Sequence, residues 1–448
     1  MAIATSNKTS DSAQLKRQVG LLSATATVVG QVIAVGIFLT PAGMAKSLGS
    51  PFWLLLVWVV MGVMALCGTF CYGALGARWP EAGGGYVYLR ETYGPGVAFV
   101  YGWKCFLVMD PGITAALAVG LASYAGYIVR LSAIGEKLVA IGAIGLLALV
   151  NICGLRLGAS LMRWLTALKL GSLLVITIWA IVFRLGDLSN FTPFFSQRAN
   201  SEPLIGALAG AMVGAFFAFG GWWDLSKLAG EVREPEQNLK RAMSFGVVIV
   251  TLVYIITSAV FFYLVPPERV TSGETFAAQA GEILFGQAGA KIFSGIVVIA
   301  VFGSLAGLLM VAPRVYYAMA RDGVFFKSIA AVHPRFETPA RAIACQALLA
   351  SLLAALGTFD EIVAYFIFVT VAFIALTVAA VFVRRQDAQA KFKVTGYPFT
   401  PIIFLALVGL LLALLLLNNP KQALLGTAVV LLGLPIYRLF FARQERRV

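Results

Sequence analysis

The sequence predicts an all-α polytopic membrane protein of about twelve transmembrane helices, built as two inverted repeats of five with helices one and six broken. Three observations lead there. The 448-residue chain is 60% hydrophobic and only 12% charged, with a mean hydropathy of +0.90, which no ordinary soluble domain has. Its apolar residues gather into twelve runs, each of roughly 17 residues or more, the length that crosses a hydrocarbon core. The first and sixth runs are interrupted by glycine pairs.

Residues 1–18 are polar and basic and read as a cytoplasmic tail before an uncleaved first helix, because no small-residue cleavage signature follows. The runs then lie at Val19 to Ser47, Phe52 to Ala77, Gly96 to Val129, Leu138 to Leu155, Leu161 to Leu185 and Leu204 to Ala229. They continue at Ala242 to Val265, Ala290 to Ala320, Ala340 to Leu356, Ile362 to Val383, Pro398 to Leu417 and Ala423 to Phe441. Residues 19–385 form a ten-helix core, 386–441 carry two helices outside the repeat, and 442–448 form a second cytoplasmic tail. An odd number of helices per repeat reverses the second copy, so breaks five helices apart fit an inverted pair.

Lys and Arg number 24 on the face shared with the termini and 8 on the other, with Lys104 and Lys169 inside spans. The positive-inside rule then places both termini in the cytoplasm and explains the formal charge of +14 without a nucleic-acid partner. The five cysteines lie in or beside apolar runs with no CxxC pair, and there is one histidine. Neither a disulfide framework nor a metal or other cofactor is expected. Among the cytoplasmic loops, Arg78 to Pro95 suits a short re-entrant or interfacial element, and Glu231 to Arg241 and Ala320 to Arg341 are solvated connectors or parts of an inner gate. The longest external loop, Val265 to Ala290, suits a lid.

The first interruption is VVGQVIAVGIF at Val28 to Phe38, with Gly30 and Gly36; the second is FAFGGWW at Phe217 to Trp223, with Gly220 and Gly221. Glycine weakens a helix interior by ~1 kcal/mol relative to alanine. Unwound backbone survives at membrane depth only where protein buries it or a cavity wets it. Paired interruptions therefore point to the binding site of a secondary transporter, against the plainer reading that small residues merely let helices approach.

Four motifs, GQVIAVGIF at Gly30 to Phe38, PEAGGGYVYL at Pro80 to Leu89, FAFGGWW with the EPxxNLxRA pattern at Glu234 to Ala242, and HPRFETPARA at His333 to Ala342, carry a resemblance. The chain resembles the amino acid, polyamine and organocation transporter superfamily, most of all the L-type amino-acid exchangers and their bacterial relatives. The resemblance implies the LeuT-like inverted repeat and a free amino acid as substrate. The chain departs from the family at Gln31, Ala34 and Val35, where small hydroxyl residues are usual, and at Trp223 and Asp224, where asparagine often follows GGW.

A buried amino-acid zwitterion needs partners for both charges. The N–H groups after the first break, around Val35, Gly36 and Ile37, would cradle the carboxylate at a helix N-terminus. Carbonyls near Val32 and Ile33, and those from Phe217 to Phe219 beside Gly220 and Gly221, would meet the ammonium. Phe217 matches the aromatic that closes over substrate in the family, Trp222 is expected to share that gate, and Trp222 or Trp223 narrows the pocket.

A lysine within a span is costly and by default functional. Lys169 matches the fifth-helix lysine that places an ammonium where sodium-coupled relatives hold a cation, with carbonyls before Gly30 and groups near Ser304 as partners; a proton site is the other reading. Lys104 and Asp110 are six residues apart and do not face each other on a regular helix. Asp224 and Lys227, at i and i+3, either pair locally or bring Asp224 to the site. The resemblance and the site together imply sodium-independent exchange of neutral L-amino acids by alternating access in the cytoplasmic membrane. The alternative is a proton-coupled symporter, or a cationic amino-acid or polyamine carrier using Asp110 or Asp224. No HExxH pattern or set of acids at membrane depth supports an enzyme. The L-type light chains bond a glycoprotein through a cysteine after helix three; Arg130 to Lys137 has none, so no disulfide-linked heavy chain is expected.

Overall fold

The structure is a computed structural model, and it describes residues 17–199, 201–266, 269, 276–357, 359–383, 393–418 and 420–441. The expected tails lie outside the described residues, apart from Arg17 and Gln18, as does part of the Val265 to Ala290 loop. Among the described residues there is no strand, only one isolated parallel bridge between Val19 and Val232.

The first run forms α1 (Leu21–Val32) and α2 (Gly36–Leu48), bent by 44° where they meet. Next come α3 (Pro51–Arg78), the short α4 (Gly85–Tyr93), and a long span made of α5 (Pro95–Lys104), a π-helical turn (Cys105–Met109) and α6 (Asp110–Ile128). Then follow α7 (Ala133–Ile152), α8 (Leu155–Val182), and α9 (Leu204–Phe219) continued by a 3-10 helix (Trp222–Glu231). The second half holds α10 (Pro235–Leu264), α11 (Phe276–Phe285), α12 (Gly289–Val311), α13 (Pro313–Arg321), α14 (Ala340–Leu356), α15 (Phe359–Val383), α16 (Phe399–Asn418) and α17 (Pro420–Leu431). Among the described residues ten spans are long and apolar enough to cross a membrane, and the bent pair makes an eleventh. The remaining expected span, α14, is an apolar helix of 17 residues, just short of that length.

Two expected loops are helical. α4 is the short element foreseen between Arg78 and Pro95, and α11 stands inside the foreseen lid loop, packed on α12 and α2. Proline at the first turn starts α3, α5, α10 and α13, where its missing N–H costs nothing.

α3 lies along α10, and α6 along α12. Small residues allow it: a Cβ on Gly73 would stand 2.9 Å from Lys240 Cα, so α10 can come that close only to glycine. The halves of the broken helices pair with each other, α2 with α9 and α1 with the 3-10 helix.

The face that holds the start of α1 is closed. Gln18 and Val19 donate N–H to Glu231 O at 2.8 and 2.9 Å, and Arg233 donates back to Val19 O at 2.8 Å. Beneath that clamp Arg314 Nε meets Glu231 Oε1 at 3.1 Å, both side chains fully buried. Nearby, Arg90 on α4 binds Asp322 and, at 3.2 Å, Glu81. Burial pulls the Arg90 guanidinium down, but the hydrogen bond and charge of Asp322, helped by Glu91 and Glu81, outweigh it and hold its pKa above the usual range. Toward the far end of α2 lies a broad vestibule lined by Leu39, Thr40, Met44 and Ser47 of α2, Ser123 of α6 and Gly214 of α9.

Candidate functional site

The breaks meet at the centre of the bundle. α1 ends at Val32, Ile33 leaves the helix with ψ at 86°, and α2 begins at Gly36. On the other side α9 ends at Phe219, Gly220 is extended, and Gly221 takes φ at +108°, a conformation glycine alone adopts without strain. Gly36 is glycine for a different reason: a Cβ there would stand 2.6 Å from Ala218 Cα, so α2 could not lie on α9. Gly30, expected in the first break, instead sits within α1 against Met162 and Thr166 of α8, where a side chain would not fit.

Between the breaks is a cavity. Gln31, Val32, Ala34 and Gly36 line it from the first break, and Phe217, Gly220, Gly221, Trp223 and Asp224 from the second. Ile113 and Leu117 of α6, Leu308 of α12, and Phe366, Ile367 and Thr370 of α15 complete it. These last carry no local signal in the sequence, since an apolar residue facing a cavity looks like one facing lipid.

The N–H groups of Val35, Gly36 and Ile37 stand at the start of α2, too early for intrahelical acceptors, and find none elsewhere among the described residues. Of the carbonyls expected to be free, those of Val32, Ile33, Phe217 and Ala218 already carry protein donors. Tyr254 Oη lies 2.8 Å from Val32 O and 2.7 Å from Ala218 O, so one hydroxyl ties both breaks together. Gly220 N–H donates to Phe217 O at 3.0 Å. Ile33 O accepts from Lys169 at 2.7 Å.

Lys169 completes a three-point contact. Its Nζ donates to Gly30 O at 2.9 Å, to Ile33 O, and to Ser304 Oγ at 2.9 Å, while Ser304 donates to Gly30 O at 2.7 Å. The carbonyls are those of Gly30 and Ile33 themselves, not of residues before Gly30. The helix break frees these oxygens, and α8 and α12 bring up the lysine and the serine.

Two aromatic residues face away from the cavity. Phe219 packs between Trp58 and Tyr254, with ring centroids 6.0 and 5.2 Å away. Trp222, expected as a gate, is buried against Tyr72 at 5.2 Å and Phe404 at 6.2 Å, because the turn at Gly220 and Gly221 aims it at α3 and α16. Its neighbour Trp223 lines the cavity instead, stacked on Phe216 at 6.1 Å. Phe217 stands on the cavity wall, partly exposed.

The remaining charges gather beside the cavity. Lys227 Nζ stands 3.0 Å from Asp110 Oδ1 and 2.9 Å from Asp224 Oδ1, all three fully buried, and Tyr316 donates to Asp110 Oδ2 at 2.8 Å. Asp110 thus finds its partner on the sixth span, which no spacing along its own helix reveals. Lys104 makes no ion pair with Asp110; its Nζ lies over the Tyr101 ring at 4.5 Å and 3.1 Å from Met109 Sδ. Among the described residues no group of histidine, cysteine and acidic side chains could hold a metal.

The family model for amino acid permeases matches residues 19–439. The chain is 33% identical to the serine/threonine exchanger SteT of Bacillus subtilis (strain 168), over 94% of this chain and 96% of that one. It is 30% identical to the large neutral amino acids transporter small subunit 2 of Mus musculus, over 95% of this chain and 81% of the other. It is also 28% identical to the b(0,+)-type amino acid transporter 1 of Mus musculus, over 95% and 88%. A multi-pass helical bundle, paired breaks around a cavity and a match over nearly the whole length agree: the chain belongs to the amino acid permease family, whose members are membrane transporters and not enzymes.

Proposed function

We propose that the protein exchanges neutral L-amino acids across the cytoplasmic membrane by alternating access, without sodium. The observation that carries this reading is Lys169. Its ammonium occupies a nest of three oxygens, from Gly30, Ile33 and Ser304, at the first break. A monovalent cation bound there would need the same oxygens, so a fixed ammonium does its work and leaves no place for it. Relatives described as exchangers and transporters of amino acids support the substrate class. The unpartnered N–H groups from Val35 to Ile37 supply a cradle for the α-carboxylate.

The cavity's position between two breaks five spans apart supports two inverted repeats in residues 19–385, with residues 386–441 accessory. With both termini cytoplasmic, the closed face is the inner one and the vestibule opens outward. The extracellular turn after α6 has no cysteine, and the exposed Cys153 follows α7 on the inner side, which supports function without a disulfide-linked heavy chain. A second reading, proton coupling or a cationic substrate, draws on Asp224 at the cavity wall.

Uptake into proteoliposomes tests the choice. Replacing sodium by choline is expected to leave uptake unchanged, and amino acid loaded inside is expected to stimulate it. A sodium requirement overturns the proposal, and uptake driven by acid pH without countersubstrate favours the second reading. Decarboxylated amines are expected to compete at least tenfold more weakly than the parent amino acids, since each lost charge-assisted hydrogen bond costs roughly 1.5–3 kcal/mol.

A further inference from the structure

The cavity has a polar end that recognition of an α-carboxylate and an α-ammonium leaves unused. Gln31 Nε2, Trp223 Nε1 and Asp224 Oδ1 are buried in residues that line it, and neither nitrogen makes a hydrogen bond. They sit where the breaks face each other: Gln31 in the last turn of α1, Trp223 and Asp224 in the first turn after Gly221. A Cβ on Gly221 would stand 3.3 Å from Gln31 Cβ, so the two segments touch. Asp224 Oδ1 has Lys227 Nζ at 2.9 Å, an ion pair that leaves the carboxylate oxygen a further lone pair. Thr370 is not part of this set, because its hydroxyl already donates to Phe366 O at 2.8 Å.

Buried polar atoms without partners are rare and costly in proteins, so the Gln31 amide and the Trp223 indole, beside a carboxylate oxygen held by an ion pair, mark a place where a ligand completes the bonding. The two nitrogens donate and the carboxylate oxygen accepts, and the Gln31 amide can also turn its oxygen inward. Charge narrows the choice. Lys227 already neutralises Asp224, and an ammonium side chain would leave the indole and amide donors unmet. A carboxylate side chain would face Asp224. An aliphatic side chain would satisfy none of the three atoms.

We propose that the protein selects amino acids whose side chain is uncharged and both donates and accepts hydrogen bonds, a hydroxyl or a carboxamide, with Gln31, Trp223 and Asp224 as its specificity-determining residues. The inference rests on the cavity being an amino-acid site. The apolar walls at Ile113, Leu117 and Ile367 hold the carbon skeleton.

Near-isosteric pairs test it in the full-length protein in proteoliposomes, by apparent affinity for uptake: threonine against valine, and asparagine against leucine. Threonine and asparagine are expected to be favoured at least tenfold, because an analogue that lacks the polar group leaves the site's buried atoms unpaired. Trp223→Phe, which keeps the ring and removes the N–H, and Gln31→Met, which keeps the length and removes the amide, are each expected to shrink that ratio severalfold. Valine and leucine matching or beating their polar partners on the wild type overturns the inference, and this arm needs no variant to fold. Preference for ornithine over asparagine overturns it as well, as does a ratio unchanged in both folded variants. Transport of amino acids with no discrimination within the pairs defeats the polar subsite alone. Failure of every amino acid to bind or move defeats the amino-acid site and this inference together.

Discussion

Lys227 and Lys169 are both fully buried cations, yet they do different work. Lys227 compensates Asp110 and Asp224 at 3.0 and 2.9 Å. Removing one member of a buried ion set strands the others, so Lys227→Met is expected to cost roughly 3–5 kcal/mol of stability. Adding Asp110→Asn is expected to recover part of that, read as the unfolding midpoint of purified protein in detergent. Lys169 instead binds neutral oxygens at the first break. Lys169→Ala is expected to lower transport tenfold or more while the thermal shift induced by substrate persists; equal loss of both readouts would place Lys169 in the binding site itself.

At the scale of elements, the breaks depend on contacts between segments as much as on glycine. Gly36→Val would push side-chain carbons into the backbone of α9 at Ala218, an overpacking worth ~1–3 kcal/mol, and it is expected to lower both the unfolding midpoint and substrate affinity. Val35→Ser, which leaves the close approach alone, is expected to be tolerated in both measurements. Tyr254→Phe removes the hydroxyl shared by Val32 and Ala218, at ~1–3 kcal/mol for the carbonyls left buried. Its expected signature is a lower midpoint that added substrate partly restores, because a ligand bridging the breaks favours the folded state by mass action.

For the whole molecule, the described conformation is shut on one face and open on the other. The closed face is zipped by Gln18, Val19, Glu231 and Arg233 through backbone bonds. Val19 and Val232 form the parallel bridge there. In a background without the five native cysteines, Val19→Cys with Val232→Cys is expected to crosslink on oxidation and stop transport, and reduction is expected to restore it. Undiminished transport by the crosslinked protein would mean that this clamp need not open.

The sequence by itself determined the class, because a mean hydropathy of +0.90 spread over spans of membrane length leaves only a helical bundle able to satisfy its own backbone. It also placed the two breaks to within a few residues, though Gly30 stays inside α1, and singled out Lys169, which stands at the first, since glycine pairs and an intramembrane charge are both locally costly. What it left open is long-range. Only the tertiary structure decided that Asp110 is paired through Lys227 and that the carbonyls beside the first break bind Lys169 and Tyr254. Only it decided that Trp223 rather than Trp222 reaches the cavity, because the direction of a side chain after two glycines depends on the φ and ψ the packing imposes. The walls from α6 and α15 were silent for the same reason. In a membrane helix every face is apolar, so composition no longer tells inside from outside, and the neighbour decides.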